Sequence, residues 1–526
     1  MKYYPIHMHL HCSHEASASI GSHMSLAKSL GINYIWITEH DTRIGKPKGK
    51  YFSFYFPERA FYVRMPNGRI AGFQENETNS GSYEFMEEGS AILLRAYANE
   101  SERESLFFHS KGKVHSDPLC ACVTVELTAD IIKQERGQVC VEFILSAQPP
   151  TYRQAKICYV LGEIPKVETD DPIQYLPFPK HEGGKYTFPL SRDVCEEIGG
   201  LDNALCNFNI TVENGAEIQI QSIDIYRELE YQKMRQAQIE LAQKIGKKWS
   251  VTPFVGFEVT RVGNHKNCYS TKVPLIEYAN FEKQVSNEQA IAHLQKYEAV
   301  YSWNHPLAGV YDANKSKEEI LEMVARELIE NRVYGASLIE VGFPYGRGNF
   351  EVAYYLRLWD RLSENGILIT GNGDSDNHHA LAEGWTEGNN FCSFAGLYDN
   401  ELPTEENFIK AFKRGTLWAG NPVLIKNLSF TGNGKEQGTL IRGGQVCVEF
   451  TATGIKCGGY AVCISNGKEI ARKEIKNGAV SGEWILACER KYNFARLEIY
   501  NEKNILIAFS NPIYLVGENT EIKERV

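Results

Sequence analysis

The sequence has no apolar run of the roughly eighteen residues that a membrane-crossing helix needs, and it does not open with a basic segment followed by an apolar one. The expected product is therefore soluble, without membrane contact and, most simply, cytoplasmic. C-x-x-C pairs are also missing: the 13 cysteines are scattered, the closest pair being Cys120 and Cys122. That argues against a thiolate zinc site or a disulfide framework and fits buried thiols in a reducing compartment. Nor is there a Lys/Arg block. Formal net charge is -10 and the densest basic stretches, residues 46–50 and 244–248, are short, so nucleic acid is not an expected partner. What remains is an ordinary globular chain of 526 residues, 43% hydrophobic and 23% charged, too long for one core.

Histidines supply the strongest signal. His7, His9 and His11 alternate at the start, and on a strand such residues share one face. Crowded imidazoles on an apolar strand are costly unless something binds their ring nitrogens, and a divalent metal does so.

Residues 22–30 have helical spacing, Gly31 stops the helix, and residues 33–38 form an apolar, β-branched run ending in Thr38-Glu39-His40-Asp41. This reads as a strand, a helix and a strand, with polar groups at the carboxyl end. From about 51 to 225 the pattern changes to short alternating strands broken by Gly, Asn and Pro, as expected of an inserted β-sandwich with jelly-roll character. Strands and helices alternate again up to about 420, and repeated βα units predict a parallel sheet closed into a barrel. Residues 421–526 read as a second β-sandwich. The expected domains are thus 1–50 and 226–420 as two parts of one α/β barrel, 51–225 as the insert and 421–526 as the C-terminal sandwich.

Collecting polar residues at expected strand ends gives His9 and His11, His40 and Asp41, Glu258 and His265, His305, and Asp376 and His378. Six of the chain's 14 histidines fall in this set. Imidazoles mixed with carboxylates, and no thiolate, suit zinc, manganese or iron, and their number implies two to three divalent ions.

In that order the residues resemble the motifs of the polymerase and histidinol phosphatase (PHP) superfamily. His9-Leu10-His11 resembles its H-x-H, with His7 where an Asp is common, and Thr38-Glu39-His40-Asp41 its T-D-H-D. Gly256-Phe257-Glu258-Val259-Thr260 followed by His265, then Asn304-His305-Pro306, then Asp374-Ser375-Asp376-Asn377-His378 resemble the remaining three. The resemblance implies a PHP-type (β/α)7 barrel over roughly 1–50 and 249–420, carrying up to three metals on His9, His11, His40, Glu258, His265, His305, Asp376 and His378. Where many relatives have an acidic residue or His shortly after the first motif, this chain has Ala16 and Ser17; the ligand is then expected at Glu15, with His14 as the other candidate. The order of insert and trailing sandwich resembles the CehA-type branch.

By the same analogy the activity is metal-dependent hydrolysis by a metal-bound hydroxide, with a phosphoesterase on a small anionic phosphorylated substrate as the leading expectation. A carbamate, ester or amide hydrolase of the CehA type, or a sugar-binding protein with a silent barrel, are the alternatives. A metal-bound water, His265 or Asp41 would protonate the leaving group, unless Asp41 fixes a histidine ring. Arg43 is the guanidinium nearest in sequence to pair with a phosphate. An insert on the loop after the second strand must sit at the catalytic face, as a specificity domain with carbohydrate contact as one expected use.

Overall fold

The structure is a computed structural model and describes residues 1–12, 18–41, 49–55, 62–64, 70–75, 82–85, 91–96, 105–111, 117–133, 137–166, 172–198, 202, 204–260, 265–276, 286–308, 310, 314–342, 347–379 and 391–522. The opening strand, Lys2–Leu10, is buried on both faces over its last five residues, as a central strand must be. On one side it pairs in parallel with Tyr34–Ile37, which pairs in parallel with Thr252–Val255; on the other it runs antiparallel to Cys392–Leu397. Between the first two strands lies the helix Ile20–Ser29. Ser19 caps it by accepting the Ser22 N–H, and Gly31, at φ +74°, turns the chain away.

Chain direction reverses where the barrel reading requires it to repeat. A second sheet has the order Phe257–Val259, Lys266–Cys268, Tyr301–Trp303, Leu338–Gly342, Thr370–Gly373. Its first three strands are antiparallel and its last three parallel. The expected (β/α)7 barrel is therefore corrected: the α/β residues form two mixed sheets, and the chain as a whole is dominated by β-sheet. The cause is local. Only residues 260–265 separate Phe257–Val259 from Lys266–Cys268, far fewer than the dozen or so that a parallel crossover needs. Gly256 stands between Thr252–Val255 and Phe257–Val259, where any Cβ would fall inside van der Waals contact of the Cys268 carbonyl oxygen. Isolated bridges His40↔Glu258 and Leu10↔Asn377 tie the two sheets together at their carboxyl ends.

The sheet of the opening strand continues without a break into the C-terminal residues, through Leu417–Gly420, Leu506–Ser510 and Asn493–Asn501 to Gly459–Ser465 and the edge strand Lys468–Glu474. Phe394 stacks on Trp418 at 3.6 Å between ring centroids across two of these strands. A four-stranded sheet containing Asn427–Gly432, Gln445–Thr453 and Ala479–Ala487 packs on it through Phe430, Val448 and Leu486. The C-terminal residues thus have one sheet of their own and share the other with the N terminus.

Between Gly49–Tyr55 and Glu217–Arg227 a seven-stranded and an eight-stranded sheet enclose a separate core that includes Val125, Phe143, Phe188, Ile210 and Ile218. Gln138–Gln148 shows why: its residues alternate between buried and half-buried over most of its length, the pattern of a sheet with one face inward. This unit is docked on the first helix. Asp202 accepts the Gly21 N–H at 3.1 Å, Tyr152 bonds Ser25 at 2.8 Å, and Ala147 bridges Ala18. Ala18 in turn donates its N–H to the His378 carbonyl at 3.2 Å, so the insert touches a segment bearing a candidate ligand. Among the described residues no helix is long and apolar enough to cross a membrane.

Candidate metal centre

The carboxyl ends of the two sheets meet at one cluster of imidazoles and carboxylates. His9 and His11, two apart on the opening strand, turn their Nε2 atoms to within 3.0 Å of each other, and both approach Asp376 Oδ1, at 3.1 and 3.0 Å. Glu258 lies opposite. Its Oε1 is 3.4 Å from His9 Nε2, 3.2 Å from His265 Nδ1 and 3.7 Å from His305 Nε2; its Oε2 is 2.8 Å from His40 Nδ1 and 3.8 Å from His11 Nε2. Asn304 Nδ2 donates to Oε1 at 2.7 Å and fixes the carboxylate. The His11 ring stacks on that of His40, at 4.3 Å, and on that of His378, at 4.1 Å.

Among the described residues four groups of donor atoms have the spacing to hold an ion: His11, His40 and His378; His9, His11 and Asp376; Glu258, His265 and His305; and His9, Glu340 and Asp374. Eight expected ligands, His9, His11, His40, Glu258, His265, His305, Asp376 and His378, are in the first three. These residues fit a metal. Asp376 Oδ1 and Glu258 Oε2 are buried without a hydrogen-bond donor, although imidazole nitrogens stand 2.8–3.8 Å away, and two ligand atoms on one tetrahedral ion lie roughly 3.3 Å apart. When bound, such ions polarise a substrate oxygen and acidify water.

Charge in the cluster is arranged to the same end. Burial alone would raise the Asp376 and Glu258 carboxyls, but Arg347, His9 and His378 around the first, and His265 and His9 around the second, hold both well below the usual carboxylate range. Burial would lower His9, yet Asp376, Glu340 and Glu258 hold it well above its ordinary value, whereas burial together with His378 and His40 drives His11 well below. One positive charge between two carboxylates is thus favoured at the spot where the ligand atoms converge.

Other expected residues fall elsewhere. His7 shares the strand but bonds Ser375 Oγ at 2.8 Å and joins none of the four groups. Asp41 joins none of the four groups; its Oδ1 accepts the N–H and hydroxyl of Thr260, just after Phe257–Val259, at 3.2 and 3.3 Å. Glu15, its alternative His14, and Arg43 lie outside the described residues. Among the described residues Arg347 brings a guanidinium to the cluster, paired with Asp376 Oδ2 and about one-third exposed. His265 is exposed to a similar degree, and the two line the mouth. Glu340 and Asp374 are also at the centre. Asp374 opens the last motif and Glu340 ends a strand, so both were visible in the sequence as strand-end acids.

Lys266 follows His265 and points the opposite way, wholly buried, with Nζ 2.9 Å from Asn287 Oδ1 and 4.2 Å over the Trp303 ring. Burial pushes its ammonium down to about 7, against the pull of Glu327 and Glu258. The unfolded chain keeps that proton up to about pH 10.5, so between pH 7 and 10.5 it binds more protons than the folded one and stability rises with pH. Lys266→Met removes this slope. Urea unfolding should show the variant gaining most, relative to the parent, at pH 6 and least at pH 10; parallel curves would refute the buried, reluctant ammonium.

No family model and no curated protein matches the chain. Solved structures that match part of it include a family 12 glycoside hydrolase, with 7% identity over 34% of this chain and 99% of that one at a TM-score of 0.24. The family 12 xyloglucanase from Bacillus licheniformis matches with 8% identity over 33% and 99% at 0.23. Bacteroides uniformis beta-glucuronidase matches with 7% identity over 87% and 62% at 0.15. At scores this low the likenesses carry no argument for fold or function.

Proposed function

We propose that the protein is a metal-dependent hydrolase, related through its motifs to the PHP superfamily, and that it cleaves a phosphoester of a small anionic substrate. The observation that carries this reading is the convergence of six imidazoles, Glu258 and Asp376 from both sheets on one buried point with a guanidinium, Arg347, at its mouth. His11, His40 and His378, His9 with Asp376, and His265 and His305 with Glu258 would hold two to three ions, and those ions would supply Lewis-acid activation. The chain's own part is to orient and to neutralise. Arg347 presents N–H donors in the fork that matches a phosphate, and His265, the most exposed imidazole of the set, would be the proton donor to the leaving oxygen if Glu258 and His305 hold their ion without it.

A second reading, hydrolysis of a carbamate, ester or amide, rests on the same Arg347: its guanidinium is already paired with Asp376, and a substrate with an uncharged carbonyl needs no free cation. One experiment separates the two. Protein purified without chelator should contain two to three ions of zinc, manganese or iron per chain, and should cleave a chromogenic phosphomonoester. In Arg347→Ala, kcat/KM for that substrate should fall about 100-fold, with metal content kept. Unchanged phosphoester turnover, or a preference for the carboxylester chromogen, would favour the second reading. A metal-free protein that takes up no added ion would overturn both.

A further inference from the structure

We infer that Glu340 is a positioning residue that presents His9 and His305 to the metals; this rests on the metal centre proposed above. Glu340 is wholly buried in the strand Leu338–Gly342. Its Oε1 lies 2.7 Å from His9 Nδ1, and its Oε2 accepts the His305 N–H at 2.8 Å. One carboxylate therefore grips a candidate ligand ring from the first sheet and the backbone of a ligand-bearing loop in the second.

The distances decide between holding a ligand and being one. His9 Nε2, His11 Nε2 and Asp376 Oδ1 stand 3.0–3.1 Å apart, close to the roughly 3.3 Å spacing of donors on one tetrahedral ion. The 2.7 Å between His9 Nδ1 and Glu340 Oε1 is instead that of a charge-assisted hydrogen bond. Glu340 thereby keeps a proton on Nδ1 and leaves Nε2 to face Asp376 and His11, and a carboxylate behind a ligand imidazole also raises its basicity.

The second bond restrains the backbone. His305 has φ +27°, in the left-handed half of backbone space where a residue with a Cβ is strained. Its N–H is pinned by Glu340 in the conformation that sends the ring toward Glu258, with Nε2 3.7 Å from Oε1. Glu340 is itself backed by Asp374, which belongs with it and His9 to one group of atoms within 4.8 Å. Asp374 is anchored in turn, its Oδ2 accepting from Asn372 Nδ2 at 2.8 Å.

The test uses the full chain, stripped by chelator and titrated with cobalt(II). Glu340→Gln keeps the volume but turns one acceptor into an NH2 group facing either the His9 or the His305 N–H, so one of the two bonds must be lost. Cobalt should bind the variant about 10- to 100-fold more weakly, with an altered d–d absorption spectrum and native circular dichroism. If the parent binds cobalt and the variant matches it in affinity and spectrum, Glu340 does not position the ligands, and a lower unfolding midpoint alone would make it merely structural. If the parent takes no cobalt, the metal centre fails and this inference with it. Should the variant not fold, a crystal structure of the zinc-loaded parent decides: Glu340 on His9 Nδ1 and off the ions supports the assignment, and Glu340 coordinating an ion overturns it.

Discussion

Glu258→Ala should empty the centre of most of its metal and lower hydrolysis by a factor on the order of 1000 or more. Glu258 is the residue that connects the cluster: its two oxygens face His9, His265 and His305 on one side and His40 and His11 on the other. A carboxylate so placed can bridge ions, and its charge offsets theirs. Truncation removes both and leaves Asn304 Nδ2 buried without the oxygen it donates to at 2.7 Å. Elemental analysis of the purified variant should find at most one ion per chain. Asp376→Ala should lose less, because Asp376 faces His9, His11 and His378, from two of the three histidine-rich groups, while Glu258 faces members of all three. Retention of every ion by Glu258→Ala, with only a few-fold loss of rate, would refute the bridging role.

The sequence displayed these candidate ligands because their chemistry leaves few substitutes: an imidazole pair two apart on a buried strand has few other uses, and His9 and His11 meet as that spacing requires. Glu258 was legible for a related reason. Gly256 stands two residues before it because the strand passes too close to Cys268 for a side chain, so glycine and acid form one short signature. Strand direction was not legible. The βα periodicity looks the same whether Lys266–Cys268 runs parallel or antiparallel to its neighbour, and the answer lies in the few residues between them. Nor did pattern reveal that the C-terminal strands extend the N-terminal sheet, since contacts such as Tyr3 with Trp418, at 6.4 Å, join opposite ends of the chain. Arg347 was legible only as a loop residue among Gly342, Gly346 and Gly348, able either to bind substrate or to turn the chain, while Arg43, nearer to a motif in sequence, was named for the phosphate. Asp41 shows the converse, a motif residue whose hydrogen bonds serve the loop at Thr260.

Arg496→Ala should destabilise the protein by about 3–5 kcal/mol. Arg496 is buried on the C-terminal strand Asn493–Asn501, where it pairs with Asp360 of the helix Val352–Glu364 and with Glu498 Oε1 at 2.6 Å, its guanidinium 5.7 Å from the Trp359 ring. Tyr500 donates to the other Glu498 oxygen at 2.7 Å. Two carboxylates and one guanidinium, all out of water, hold the strand Asn493–Asn501 of the shared sheet against the helix that precedes the last motif. Removing the cation leaves two buried like charges, which costs far more than the pair contributes when intact, because the intact network has already offset its own desolvation. The triple variant Arg496→Met, Asp360→Leu, Glu498→Leu should recover most of the loss in urea unfolding, since it removes the stranded charges along with their partner. If the single variant loses under 1 kcal/mol, the charges reach water and the network is not buried in solution; if the triple variant stays as unstable as the single, packing of the Arg496 stem on Trp359, rather than charge, is what joins the two parts of the chain.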